Sequence, residues 1–197
     1  VSLLDEKYKD RLIFGLVRNP WAWYVSLYHF QQPRGQWLQL CLRDKKNNFK
    51  NFLTTLLSSE FANKHKHMMF HPPGNPYAPK NVPVFKYMND LDIGFFTYRY
   101  MYMFSYYSHD ILNKNKNVDG STFIKNILKT EELPNNIIRL FDKNNILISS
   151  EDKKFWKTRP KRNNTIHKPY QDYYDKELIE LVRRKDRFIV GQYGYEC

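Results

Sequence analysis

Residues Leu16–Val25, LVRNPWAWYV, with Ser26 directly after them, read as a strand running straight into a helix. The run that leads in, Arg11–Val17 (RLIFGLV), is short and apolar, as a buried strand is. Asn19 is a helix N-cap residue type, and Pro20 suits the first helical position because its missing N–H leaves nothing unbonded there. Ser26 lies two turns past Asn19 and so falls on the same helical face, while Arg18 stands at the helix mouth. A guanidinium, unbonded first-turn amides and a hydroxyl are then predicted to converge on one phosphate. A plainer reading stays open at this point: Arg18 a surface charge, Ser26 a solvated helix residue and the tryptophans core.

Outward from this stretch, Arg34–Asn48 (RGQWLQLCLRDKKNN) changes from a Pro-Gly break to polar residues and is predicted to be a loop with one turn of helix. Phe49, Phe52, Leu53, Leu56 and Leu57 then recur at i, i+3, i+4, i+7 and i+8, an amphipathic helix that packs into the core. Residues 64–120 read as an irregular segment suited to a lid or to contacting a substrate. Its first part, Lys64–Pro83, is rich in proline and holds His65, His67 and His71. Those histidines lack a neighbouring Cys or carboxylate, so no metal is expected. In Asp90–Leu112, Phe96, Tyr100, Met103, Phe104 and Tyr107 have helical spacing and read as core. Arg99 within it must face solvent, a carboxylate or an anionic ligand. Asn113–Gly120 (NKNKNVDG) reads as a polar turn.

Phe123–Leu128 is predicted as a second strand, and Pro134 opens a helix through Phe141 that buries Ile137, Ile138 and Phe141. The last helix starts at Asp175, buries Leu178, Leu181 and Val182, meets an imperfection at Lys185 and packs the C-terminus onto the sheet. Strand, helix, strand, helix order predicts a parallel sheet covered by helices. Ligands on such sheets bind outside the carboxyl ends of the strands, where Arg18 would sit. Lys153–Lys168 (KKFWKTRPKRNNTIHK) is basic without an acid and, on charge alone, reads as a solvated loop or a nucleic-acid contact. His167 in it is either a base or a polar cap on Tyr170, Tyr173 and Tyr174, and the cap is preferred.

The chain has 197 residues, enough for one core, so a single domain over residues 1–197 is expected. It contains no long apolar run, and its two cysteines, Cys41 and Cys197, imply no disulfide framework, which favours a reducing compartment such as the cytoplasm. Thirty-two Lys and Arg against 20 Asp and Glu give a net charge of +12, expected to attract polyphosphates, acidic glycans or nucleic acid. Aromatics at 17% stack on sugars as readily as on bases, so they do not choose among these.

Arg18-Asn19-Pro20, five further residues and Ser26, on a strand-to-helix turn, resemble the 3′-phosphate-binding motif of sulfotransferases that use the donor PAPS (3′-phosphoadenosine 5′-phosphosulfate). Arg162–Cys197 (RNNTIHKPYQDYYDKELIELVRRKDRFIVGQYGYEC) resembles that family's C-terminal block: an N-x-S/T loop, a Y-x-x-Y-Y run, a helix and a terminal F/Y-G-Y. Between them, Thr122–Phe141 resembles the family's strand ending in R-T-E-x-L, with Glu131 at the acidic position. The segment from Gln31 to Asp119 matches only loosely. The resemblance implies a three-layer α/β fold of the P-loop-like type, with a central parallel sheet between helices. It implies transfer of a sulfuryl group from PAPS to a hydroxyl or amine, leaving PAP, with a carbohydrate as the acceptor class and no metal. Arg18 and Ser26 would grip the donor's 3′-phosphate, and the loop carrying Lys161, Asn163 and Thr165 would close over the nucleotide.

One family feature is missing. No K-x-G-T/S-T loop for the 5′-phosphosulfate occurs in VSLLDEKYKD, the residues before Arg11, and none of the seven glycines forms a substitute. The first strand of the fold is accordingly expected to be absent. The chain is expected to be a fragment holding the 3′-phosphate side of the donor site, with a natural truncation as the other possibility; no general base stands out. Two other classes remain, a basic nucleic-acid-binding module and a catalytically inactive PAP-binding protein. Specific nucleic-acid recognition and a membrane segment are not expected, whereas self-association through an exposed sheet edge is.

Overall fold

The computed structural model describes residues 11–32, 36–42, 46–66, 69–70, 82–104, 124–158 and 167–197. Strand β1 (Phe14–Val17) passes through Arg18 and Asn19 into helix α1 (Pro20–Gln31). Asn19 caps α1 by accepting the Ala22 N–H at 3.2 Å, with Pro20 at the first helical position, as the sequence predicts. Buried Trp21, Tyr24, Val25 and Tyr28 follow the i, i+3, i+4, i+7 rule, so this stripe faces the core. Ser26 and His29 flank it and are half-buried.

The predicted loop with one turn of helix at Arg34–Asn48 holds a longer helix, the seven-residue α2 (Gln36–Leu42). Leu38, Cys41 and Leu42 recur at i, i+3 and i+4 and are buried, an apolar face sufficient to hold a short helix against α1 and α3. Helix α3 (Phe49–Leu56) is capped by Asn48, and Phe49, Phe52, Leu53, Leu56 and Leu57 are all buried as predicted. Helix α4 (Ser59–Lys64) follows, capped by Ser58. Within the predicted Lys64–Pro83 loop, β2 (Met69–Phe70) pairs antiparallel with β3 (Val82–Pro83), while His67 and His71 lie outside the described residues.

Helices α5 (Val84–Asp90) and α6 (Phe95–Phe104) complete the first half. Phe96, Tyr100 and Phe104 are buried as predicted, but Met103 is 46% exposed because the core stripe of the last turn runs through Tyr100, Met101 and Phe104. Tyr107 and the Asn113–Gly120 stretch lie outside the described residues. Strand β4 (Asn126–Lys129) pairs parallel with β1, in a register running from Phe14 opposite Asn126 to Val17 opposite Lys129. The second strand therefore includes Lys129, beyond the predicted Phe123–Leu128, because pairing with β1 extends it one residue further. A β-carbon on Gly15 would lie 2.7 Å from the Phe104 ring and 2.8 Å from Ile127 Cδ1, so glycine is what lets α6 close on β1.

A 3₁₀ turn (Thr130–Glu132) leads to α7 (Asn135–Lys143), which buries Ile138 and Leu140, with Ile137 and Phe141 only half-buried. The start of the predicted basic loop is instead helix α8 (Ser150–Thr158). Ser149 Oγ accepts the Asp152 N–H at 3.0 Å and donates to the Asp152 carboxylate at 2.7 Å, a reciprocal cap that starts the helix despite its charge. A second 3₁₀ turn (Tyr170–Tyr173) precedes α9 (Lys176–Lys185) and α10 (Arg187–Tyr193). Asp175 caps α9 through the Leu178 N–H at 2.9 Å. Leu178 and Val182 are buried and Leu181 is half-buried; the helix packs on α1 and α3, and the C-terminal Tyr195 reaches the end of β4, with Lys129 Nζ 5.0 Å from its ring centre.

The fold is thus α/β and mostly helical, with a two-stranded parallel sheet of β1 and β4. Of the expected central parallel sheet, the described residues form these two strands. A single cluster of buried side chains from Val17 to Tyr195 is supplied chiefly by α1, α3, α5 and α6, so helix-on-helix packing does the work assigned to a sheet. Among the described residues, no helix is long and apolar enough to cross a membrane.

Candidate functional site

The carboxyl ends of β1 and β4 lie side by side, because parallel pairing puts Val17 opposite Lys129. Just beyond the strand ends, Asn19 meets Glu131. Glu131 Oε1 accepts the Asn19 backbone N–H at 2.7 Å, and its other oxygen accepts the Tyr195 hydroxyl at 3.2 Å. Lys129 Nζ lies 5.0 Å from the centre of the Tyr195 ring. Asn19 Nδ2 donates to the Glu196 carbonyl at 2.8 Å and reaches the Tyr170 hydroxyl at 3.5 Å. Further along α1, the Tyr174 hydroxyl donates to the Trp21 carbonyl at 2.9 Å, and Trp21 Nε1 donates to the Ile179 carbonyl at 3.3 Å. Burial pushes the Tyr170, Tyr174 and Tyr195 phenols up, so they stay neutral.

The three separated stretches that carry the resemblance therefore meet at one strand-to-helix junction. Glu131 holds that junction through a charge-assisted bond to a backbone amide. Glu131→Ala is expected to lower stability in urea unfolding by about 1 kcal/mol, a partly solvated value, and Glu131→Gln to restore most of it. An unchanged midpoint in Glu131→Ala would show that the carboxylate does not hold the loop.

Arg18 and Ser26 are both half-buried. Neither the Arg18 guanidinium nor the Ser26 hydroxyl has a hydrogen-bond partner among the described residues, and both sit on the β1–α1 unit as predicted. The predicted amide cradle does not form. Pro20 has no N–H, Asn19 N–H goes to Glu131, Ala22 N–H to the Asn19 side chain and Trp23 N–H to the Asn19 carbonyl at 2.9 Å. Of these first-turn amides only that of Trp21 has no partner among the described residues, so a phosphate here depends on side chains rather than on the helix end. Lys161, Asn163 and Thr165 lie outside the described residues.

Arg99 lies with its guanidinium 6.0 Å from the Trp23 ring, and burial lowers its pKa. His65 packs at 4.4 Å from Phe61 and 6.2 Å from Phe85, ring centre to ring centre, a core contact in place of a ligand role. Among the described residues no group of His, Cys, Asp and Glu is placed to hold a metal ion. A surface hollow of about 430 Å³ lies between α3 and α9, lined by Thr54, Glu177, Leu178, Glu180, Leu181 and Arg184; its two carboxylates make it a poor anion site.

His29, which the sequence reading passed over, belongs to this region. It stands one turn beyond Ser26 on the same flank of α1, the signal that i, i+3 spacing carries. Its Nε2 is 2.8 Å from the Tyr173 hydroxyl, and its ring stacks on that of His167 with centres 5.0 Å apart and planes 13° from parallel. Burial, and then His167, lower the pKa of His29. His167 also meets the Tyr173 ring edge-on at 6.3 Å, the polar-cap position preferred from the sequence.

No protein-family model matches the chain, and neither do curated protein sequences or solved structures.

Proposed function

We propose that this chain carries the 3′-phosphate side of the donor site of a PAPS-dependent sulfotransferase of the P-loop-like fold. In that reaction a sulfuryl group passes from PAPS to a hydroxyl or amine of an acceptor, here of the carbohydrate class, and PAP leaves. The observation that carries the reading is the convergence of the three motif stretches on the β1–α1 junction, beside two polar side chains without partners among the described residues. Asn19, Glu131, Tyr170 and Tyr195 fix the backbone from which Arg18 projects. Fixing the Arg18 backbone lowers the ordering cost of binding, so a dianionic phosphate gains charge-assisted bonds from Arg18 and a hydroxyl bond from Ser26. Transfer itself spreads negative charge over the sulfuryl oxygens and the leaving phosphate, so the chemistry rests on positioning and on cationic stabilisation. The loop with Lys161, Asn163 and Thr165 supplies further donor contacts in this reading, and the net charge of +12 suits a polyanionic donor and an acidic acceptor.

Calorimetric titration with PAP, beside adenosine 5′-phosphate, tests it. PAP is expected to bind more tightly than the nucleotide lacking the 3′-phosphate. Arg18→Ala is expected to weaken PAP by about tenfold to a hundredfold, the loss of charged hydrogen bonds. Equal affinity for the two nucleotides in folded protein sinks the proposal, and steeply salt-dependent RNA binding without preference for PAP would favour the nucleic-acid class instead.

A further inference from the structure

The geometry points to the stacked His29–His167 pair as an oxyanion site in its own right, which extends the Ser26 flank of α1 and takes a phosphate group. His167 Nδ1 is 2.6 Å from the Lys168 carbonyl, which can only accept, so Nδ1 carries the hydrogen and Nε2 is left as the ring's open nitrogen. His29 commits Nε2 to the Tyr173 hydroxyl, which leaves Nδ1 open. Neither open nitrogen has a partner among the described residues, and the two belong to rings in face contact. Ser26 and His29 are three residues apart on α1, which brings their β-carbons to about 5–6 Å. The first-turn amides of α1 are largely committed elsewhere, so an anion held against this helix needs donors further along it, and these nitrogens become such donors when the rings are protonated.

The charges around the pair select an anion. From the C-terminal segment the neighbours are the Tyr173 hydroxyl, Lys168 and exposed Asp172; from α1, Tyr28, whose hydroxyl donates to Asn47 at 3.0 Å. From α3, Phe49 packs on Tyr173, and adjacent Lys50 is tied to Asp175 at 2.7 Å and Glu177 at 3.4 Å. No carboxylate forms an ion pair with either imidazole among the described residues. A proton on one ring disfavours a proton on the other, which is the direction in which His29 is shifted. A bound oxyanion reverses that balance by supplying the counter-charge, so binding must draw protons onto the pair. Where the phosphate is that of a nucleotide donor, this site deepens the reading above and rests on it.

Imidazole NMR titration of the whole chain between about pH 5.5 and pH 8 tests the proposal, with inorganic sulfate as the probe because it keeps its charge across that range. Chloride at matched ionic strength is the control, and PAP is the second probe. Saturating sulfate is expected to raise the midpoints of His29 and His167 by about one unit each, equivalent to about tenfold tighter binding for each proton taken up and about a hundredfold for the doubly protonated pair. His167→Gln, a change outside the helices, is expected to abolish the sulfate shift at His29 and to flatten the pH dependence of sulfate affinity. Midpoints that neither sulfate nor PAP moves beyond the chloride control overturn the site. If they stay fixed while PAP binds through Arg18, the pair is packing alone and the donor reading stands. If sulfate moves them while PAP shows no advantage over adenosine 5′-phosphate, the oxyanion site stands and the donor reading falls.

Discussion

Asp186→Ala is expected to cost about 3–5 kcal/mol, a large fraction of the stability of a domain this size, because it orphans three donors at once. Asp186 is wholly buried at the junction of α9 and α10. Its Oδ2 accepts the Tyr24 hydroxyl at 2.7 Å, and its Oδ1 accepts the Thr97 N–H at 2.8 Å and the Thr97 hydroxyl at 2.7 Å. Tyr24 in turn accepts the Phe96 N–H at 3.2 Å. One carboxylate thus joins α1, α6 and the α9–α10 corner. Burial raises the Asp186 pKa to about 6, against the opposing pull of these bonds. The unfolded carboxyl titrates near 3.8, so the folded state holds its proton more tightly between the two values. The contribution of this group to stability is therefore full below the unfolded value and is lost as pH rises through about 6. Asp186→Asn keeps an acceptor for Thr97 and removes the titration. The stability of the native chain relative to Asp186→Asn in urea should fall by roughly 2 kcal/mol from about pH 4 to about pH 7. A constant or rising difference would refute the assignment.

Gly94→Ala should be the second most damaging change, at about 2–3 kcal/mol from overpacking and weakened buried bonds. A β-carbon on Gly94 would lie 2.5 Å from both Asp186 carboxylate oxygens and 2.6 Å from its Cγ. The Gly94 N–H also donates to the Lys185 carbonyl at 2.7 Å, so backbone meets backbone with no slack. Nearby Lys185 is buried and paired with Asp92 at 2.5 Å, whose carboxyl that ammonium holds below its ordinary range. The obstacle is a carboxylate already fixed by three hydrogen bonds, so it cannot swing aside as a free side-chain end would. In an Asp186→Ala background, Gly94→Ala should therefore cost at least about 1 kcal/mol less, which a double-mutant cycle measures. Additive losses would mean that the clash lies elsewhere. Gly191, in α10 with open space around its β-position, is the control: Gly191→Ala should stabilise by about 0.5–1 kcal/mol.

Residues whose role is set by near neighbours in the chain were legible in the sequence. Asn19 and Asp175 cap helices because their side chains need only reach an amide three residues away. The α3 stripe was legible because a 3.6-residue period sorts apolar from polar without regard to partners. The α2 helix was read as a single turn because its seven residues gain little from local propensity and depend on burying Leu38, Cys41 and Leu42. The α8 helix was hidden by its charge, which suggested a solvated loop, although Ser149 and Asp152 form the cap. At the candidate site, Arg18 and Ser26 could be named from spacing and resemblance. The loss of the amide cradle could not, since Glu131 takes the Asn19 amide from 112 residues away in the chain.

The sequence by itself determined the β1–α1 unit, the Asn19 and Asp175 caps and the apolar stripes of α3 and α9, all written in interactions within a few residues. Only the tertiary structure decided that three distant segments close on Asn19, that Asp186 ties three helical elements together and that His29 stacks on His167. A hydrogen bond or ring contact across more than a hundred residues leaves no period in the sequence; it exists only once the chain has folded.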